Sequence, residues 1–153
     1  MKVGYIWRGI KDLYSGEWVG CALSERMAQD LVTKALFRAV SNQKPKPGLI
    51  LHSDRGSQYC VLNYQKILAQ FGMRPSMSRK GDCWDNAPME SFWGTLKNEL
   101  VHHHNYLTRQ QAKKDITEYI ELFYNRQRKQ TRLGFLSPVA FTKKYFMNLM
   151  KMT

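Results

Sequence analysis

Cysteine is scarce in this chain and poorly placed for chemistry: Cys21, Cys60 and Cys83 are far apart, odd in number and never form a CxxC pair. That excludes a recognisable zinc site and a disulfide framework, so a reduced, cytoplasmic compartment is the default expectation. No apolar run is long enough to span a bilayer, and Met1-Lys2-Val3-Gly4-Tyr5 lacks the apolar stretch of a signal peptide, so no membrane partner is expected. Acidic side chains are the other shortage: 12 Asp plus Glu face 24 Lys plus Arg, a formal net charge of +12 on 153 residues. Such an excess suits a polyanionic partner, because each cation set on a phosphate releases counterions. A hydrophobic content of 43% argues against disorder. With no repeat, low-complexity segment or separating linker, residues 1–153 read as a single domain.

Residues 5–14 and 18–23 read as two strands around the Ser15-Gly16-Glu17 turn. A helix is expected from about Arg26 to Val40, with Met27, Leu31, Ala35 and Leu36 on its apolar stripe. Lys44-Pro45-Lys46-Pro47-Gly48 must end it, since proline continues no helix. Residues 49–53, Leu-Ile-Leu-His-Ser, are expected to form a strand buried on both faces. Residues 61–71 follow as a helix stopped by Gly72, then a short strand over 73–77 and a polar loop over 78–85. Three more helices are expected: from about Ala87 to Val101, from Thr108 to Asn125, and a short one opening near Pro138. The order predicts an α/β domain with helices on a mixed sheet.

Asp54 ends the apolar run, where α/β folds place ligand-binding groups. Glu90 lies one turn into its helix, beside the stripe of Met89, Phe92, Trp93, Leu96 and Leu100. At 3.6 residues per turn, Lys97 lies within about 20° of Glu90 on the helix wheel. Two carboxylates on separate elements can share a divalent ion, and a cation two turns below suits a backbone phosphate. Taken singly, each residue has a plainer reading: Asp before a Gly turn as a cap, Glu in a first turn as a partner of the helix dipole.

The surrounding residues change that balance. His52-Ser53-Asp54-Arg55-Gly56-Ser57-Gln58-Tyr59 resembles the second-carboxylate motif of DDE transposases from bacterial insertion sequences. These are the OrfB type with a retroviral-type (rve) integrase core. Ser78-Arg79-Lys80-Gly81-Asp82-Cys83-Trp84-Asp85-Asn86-Ala87 and Glu90-Ser91-Phe92-Trp93-Gly94-Thr95-Leu96-Lys97 resemble the third-carboxylate region, and the 35 residues between Asp54 and Glu90 match its spacing. Tyr124-Asn125-Arg126 with Arg128, then Leu133-Gly134-Phe135-Leu136-Ser137-Pro138, is similar to the end of the same core, so the resemblance runs over about residues 9–141. It implies a ribonuclease-H-like (integrase core) mixed sheet flanked by helices. It also implies Mg²⁺ or Mn²⁺ on Asp54 and Glu90 as metal ligands and catalytic residues, with DNA cleavage by water and strand transfer by the freed 3′-hydroxyl. DNA is the partner, meaning element ends and target, with a second copy or full-length transposase as protein partners; the nucleoid is the implied location.

The family carries three carboxylates, the first on an opening strand ahead of the pair read here over 5–14 and 18–23. Asp12, in Gly9-Ile10-Lys11-Asp12-Leu13-Tyr14-Ser15-Gly16, matches the following strand and is not assigned that role. The expectation is therefore a core truncated at its amino terminus, without its first strand or a separate DNA-end-recognition domain, that binds DNA, holds metal weakly and is inactive alone. The alternative is an inactive DNA-binding or interfering remnant. A third reading, a nuclease using Asp12 as substitute ligand, requires Asp12 close to both Asp54 and Glu90. Gln130 stands where many relatives carry His.

Lys97, Arg79, Lys80, Arg126, Arg128, Lys129 and Arg132 are the candidate DNA contacts, the last four forming the densest basic stretch; phosphate binding and plain solvation both fit it. Trp84 either stacks on a base or caps the core. His102-His103-His104 reads as a solvated loop, because consecutive residues at a helix end point in different directions.

Overall fold

The computed structural model describes residues 6–26 and 30–153. The chain first reverses where Asp12 folds its own backbone: its carboxylate accepts from the Ser15 N–H at 3.0 Å and the Ser15 hydroxyl at 2.6 Å. Gly16, at φ 77°, supplies the left-handed step that closes the turn. Strands β1 (Ile6–Lys11) and β2 (Trp18–Ser24) then pair antiparallel, Trp7 opposite Leu23 and Gly9 opposite Cys21. Helix α1 (Leu31–Gln43) lies on this hairpin and buries Leu31, Val32, Ala35, Leu36 and Ala39. Gly20 permits the close approach, since a Cβ there would run into the α1 backbone at Ala35 and Ala39. The expected start of α1, with Met27 on its stripe, falls on residues outside those described.

Strand β3 (Ile50–Ser53) pairs in parallel with β4 (Arg74–Met77), and the crossover carries α2 (Ser57–Cys60) and α3 (Leu62–Gln70). Tyr64 and Leu68 of α3 join Val32, Leu36 and Met73 in one apolar cluster. A 3₁₀ turn, Cys83–Asn86, leads into α4 (Ala87–Glu99). Beyond it, α5 (Arg109–Glu118) runs into a π-helical turn over Tyr119–Tyr124, so the long helix expected over 108–125 changes its hydrogen-bond period partway. The closing helix α6 (Pro138–Met152) is 15 residues long, capped by the Ser137 hydroxyl.

The second and larger cluster seals α4 and the π turn against the hairpin: Trp7, Trp18, Phe92, Leu96, Tyr119, Ile120 and Tyr124. Ring centroids of Trp18 and Phe92 stand 4.4 Å apart, those of Phe92 and Tyr124 5.0 Å. Buried Asn125 completes the seal. Its side-chain amide accepts from the Trp18 N–H and donates to the Trp18 carbonyl, both at 2.9 Å, as a neighbouring strand would. Its own carbonyl takes the Val139 N–H at 2.9 Å, tying α6 to the hairpin.

The strands form two separate two-stranded sheets among the described residues, where the sequence predicted one mixed sheet. The strand expected to be buried on both faces is half open, with Leu49 51% and Ile50 59% exposed. The reason lies in its hydrogen bonds. Arg74 N–H to the Leu49 carbonyl and Ser78 N–H to the Ser53 carbonyl place the odd-numbered residues of this segment toward β4. In a parallel ladder, Ile50 and His52 must then aim their N–H and C=O groups the other way. A cavity of about 720 Å³ lies on that side, lined by residues 7–15 of the hairpin and residues 49–54. Consecutive residues line it on both walls, so strand edges front the space.

Candidate active-site cleft

Both sequence-selected carboxylates lie on the wall of this cleft, together with Asp85 and Asn86. Asp54 leaves the end of β3, and one of its oxygens accepts the Gly56 N–H at 2.8 Å, which fixes the turn into α2 and leaves the second oxygen for other partners. Glu90 occupies the first turn of α4 and is exposed.

What ties the two elements together is Ser78, buried at 4% exposure. Its N–H reaches the Ser53 carbonyl at 2.9 Å, one residue before Asp54, and its carbonyl accepts from Arg55 Nε at 2.9 Å. Its hydroxyl stands 3.1 Å from Asn86 Oδ1, at the residue that opens α4. His52 completes a chain, its ring nitrogens 3.0 Å from the Ser76 hydroxyl and 3.1 Å from the Ser78 hydroxyl. With the proton on Nε2 every link has one donor: Ser76 to His52, His52 to Ser78, Ser78 to Asn86. Nothing in the sequence sets Ser78 apart from its polar neighbours, because its role follows from burial between two distant segments.

Asp12 also lines the cleft, but its carboxylate is already engaged by the hairpin turn, the Tyr14 N–H at 3.4 Å included. Its acceptors hold that turn. Among the described residues no cluster of three His, Cys, Asp or Glu is arranged to hold a metal ion. Tyr59 reports the local field: burial pushes its phenol up, with Arg8 opposing and the Asp54 charge adding to the rise. Lys11, across the cleft, is lowered to about 8 by burial and then by Arg132 and Arg128.

The candidate DNA contacts separate into two kinds. Lys80, Lys97, Arg126 and Lys129 are exposed, and so is Arg79, which pairs with Asp82 at 3.5 Å. Arg128 is held in a fork on Glu99 at 2.6–2.9 Å, and Arg132 donates to the Tyr14 carbonyl at 3.3 Å. The basic stretch over 126–132 is therefore part structural. Arg128 keeps Glu99 below the usual carboxylate range, burial opposing and the Tyr119 hydroxyl assisting. The histidines do not form a loose loop: His103 and His104 fold back onto the Asn98 and Leu100 carbonyls at 2.9 Å, closing the end of α4. Trp84 is 82% exposed, which settles one alternative, since it caps no core.

Two family profiles described as integrase core domain match the chain, over residues 9–83 and 90–146. The insertion element IS600 31 kDa protein of Shigella sonnei is 58% identical over 137 residues, 90% of this chain and 50% of that protein. The transposase for insertion sequence element IS904 of Lactococcus lactis is 45% identical over 132 residues, 86% of this chain and 52% of that protein. Transposase InsF for insertion sequence IS3A of Escherichia coli is 41% identical, covering 87% of this chain and 46% of that protein. The chain thus spans about half the length of the curated relatives it matches. Among solved structures, the HTLV-2 integrase catalytic core domain in complex with magnesium, trimeric form, superposes with TM-score 0.66 at 14% identity, over 90% of this chain and 84% of that one. A chain of the simian T-cell lymphotropic virus intasome in complex with PP2A regulatory subunit B56 gamma gives 0.62 at 16%, over 78% of this chain and 43% of that one. At those identities the likeness is one of fold, the ribonuclease-H-like α/β fold of integrase catalytic cores. Sequence identity carries the rest: the chain is similar to proteins of bacterial insertion sequences, transposases among them, and it belongs to the integrase core domain family.

Proposed function

We propose that the cleft is the catalytic face of a DDE transposase core that acts on DNA in transposition and integration, by strand cleavage and then strand transfer. The observation that carries this reading is the position of Asp54 and Glu90, with 35 residues between them in sequence, on one cleft wall and linked through Ser78. The donor set fits a hard divalent cation: Mg²⁺ is commonly held by one or two carboxylates, with water and substrate phosphate completing the shell. Asp54 and Glu90 would hold Mg²⁺ or Mn²⁺, which when bound stabilises charge on the reacting phosphate and raises the nucleophilicity of the attacking oxygen. The chain's own part is to hold both carboxylates on the wall of one cleft, through the Asp54 turn and the Ser78 bridge. Lys97, Lys80 and Arg79, with Arg126 and Lys129, would hold the sugar-phosphate backbone without reading sequence.

Two carboxylates alone hold the ion weakly, and among the described residues the edges of β1 and β3 that face the cleft are unpaired, which leaves room for a further strand between the two sheets. A strand there bearing a third carboxylate would complete the site, and the described residues without it should bind DNA and metal but not transfer strands. A second copy or a longer transposase is the protein partner this reading calls for, and nucleoid DNA its place of action. The test is strand transfer on end-sequence DNA with Mg²⁺. No product is expected from this chain, whereas a version carrying an Asp-bearing strand ahead of β1 should be active and lose its activity on Glu90→Gln. Robust transfer by the chain itself, abolished by Asp12→Asn, would overturn it.

A further inference from the structure

Four tryptophans are present, and they are treated very differently: Trp7 and Trp18 are 8% and 4% exposed, Trp93 is half-buried, and Trp84 is 82% exposed. An indole left in water forfeits the burial that normally stabilises so large a ring, so its place asks for a partner. The turn that presents it is well fixed. Asp82 accepts the Trp84 N–H at 3.2 Å, Asp85 accepts the Arg79 N–H at 3.0 Å, and the Asp82 N–H reaches the Arg79 carbonyl at 3.2 Å. The next residues, Asp85 and Asn86, line the cleft that holds Asp54 and Glu90, so the turn that carries Trp84 borders it.

We propose that Trp84 is a stacking platform for an unpaired DNA base at a strand end entering the cleft. The inference rests on reading that cleft as acting on DNA. The surroundings select the partner. A protein-docking patch is a contiguous apolar surface, whereas Trp84 is bracketed in sequence by Arg79, Lys80, Asp82 and Asp85. Exposed Lys80, and exposed Arg79 paired with Asp82 at 3.5 Å, share the turn with the exposed ring, which matches what single-stranded nucleic acid offers, a phosphate and a base face within one nucleotide. Bases inside a duplex cover one another's faces, so only a frayed or overhanging end presents a ring to the indole. Stacking there would register the strand end against the two carboxylates.

The experiment compares binding of wild-type chain, Trp84→Ala and Trp84→Phe to a blunt duplex and to the same duplex with a short single-stranded overhang carrying 2-aminopurine. Wild type should favour the overhang and quench the 2-aminopurine. Trp84→Ala should lose the quenching and bind the overhang about 5- to 150-fold more weakly, the range alanine substitution gives for one stacked base. Its affinity for the blunt duplex and its salt slope should stay unchanged, and Trp84→Phe should recover part of the loss. Equal weakening on both DNAs, or none on either, with an unchanged melting temperature, would overturn the proposal and leave the DNA reading of the cleft standing. Failure of the wild type to bind either DNA would remove both.

Discussion

Phe92 and Ile50 are both large apolar side chains on regular elements, yet Phe92 is 2% exposed and Ile50 59%. Around Phe92 every surface is covered: Trp7 and Trp18 from the hairpin, Tyr124 from the π turn, and Leu96 from the next turn of its own helix. Even the backbone of β2 is completed there by a side chain, Asn125. Around Ile50 the covering stops at one side, because β3 has β4 on one edge and the cleft on the other. The same chain thus holds a closed aromatic core and, among the described residues, an open pair of strand edges, and the two carboxylates proposed as metal ligands, Asp54 and Glu90, line the open side. Stability should reside in the first region and adaptability in the second, as local opening follows sparse burial and unpaired backbone.

The sharpest break of that comparison is to truncate both side chains. Phe92→Ala removes a fully enclosed ring and should cost about 3–5 kcal/mol, enough to threaten folding of a domain of this size. Ile50→Ala should stay within about 0.5 kcal/mol. Urea denaturation of the two variants measures both, and comparable losses would mean the cleft is closed in solution.

Asn125→Ala comes next. It leaves the Trp18 N–H and C=O buried without partners, and two such groups should cost about 2–4 kcal/mol in the same assay. Asn125→Asp should rescue little, because a carboxylate accepts from the N–H but cannot donate to the carbonyl. A loss below 1 kcal/mol would show that water replaces the amide and that the clamp is not what completes β2.

Much of this was legible in the residues and some was not, for definite reasons. The helical stripe of α4 announced itself by spacing, and the turn at Ser15-Gly16 by its glycine. The parallel β3–β4 pair was visible as two short strands, and the family resemblance pointed to an absent opening strand; the apolar run itself did not show that the second edge of β3 is unpaired among the described residues, since such a run reads as buried whether or not a neighbour exists. Asn125 stood out only as part of a tail that resembles the end of the family's core; its work is long-range, 107 residues from Trp18, and periodicity carries no trace of that. Arg128 looked like Arg126, although Glu99, 29 residues away, claims it. For the site, the two carboxylates came from their flanking words and the bridge between them from burial alone.

Ser78→Ala probes the border between the two regions. Removing its hydroxyl should cost only about 1 kcal/mol in stability. It should nevertheless weaken Mn²⁺ binding several-fold, by letting the Asp54 turn and the start of α4 move independently. Titration with Mn²⁺ followed by its electron paramagnetic resonance signal reads the effect, with Ser78→Thr as the conservative control. Unchanged affinity in Ser78→Ala would mean the backbone links to Ser53 and Arg55 suffice.

The smallest effect should come from Lys11, which stands on the seam, lining the cleft while lying 5.7–5.8 Å from the ring centroids of Trp18, Phe92 and Tyr124. Two influences oppose there. Burial, reinforced by Arg132 and Arg128, lowers its pKa from 10.5 to about 8, while the ring faces and the Tyr124 hydroxyl at 3.4 Å favour the cation. If burial prevails, the unfolded chain binds more protons than the folded one between about pH 8 and 10.5. Stability should therefore rise across that window, and below pH 8 the folded state bears the full cost of the buried cation. Lys11→Met keeps the length and removes the charge. It should be more stable than wild type at pH 7, by about 1 kcal/mol or less once solvent screening is allowed for, and the difference should vanish as pH rises toward 10. Taking the difference between the two proteins cancels the titration of the other lysines and the tyrosines. A wild type more stable than Lys11→Met at pH 7 would reverse the assignment, making the aromatic cage the stronger influence and Lys11 a cation held for use at the cleft.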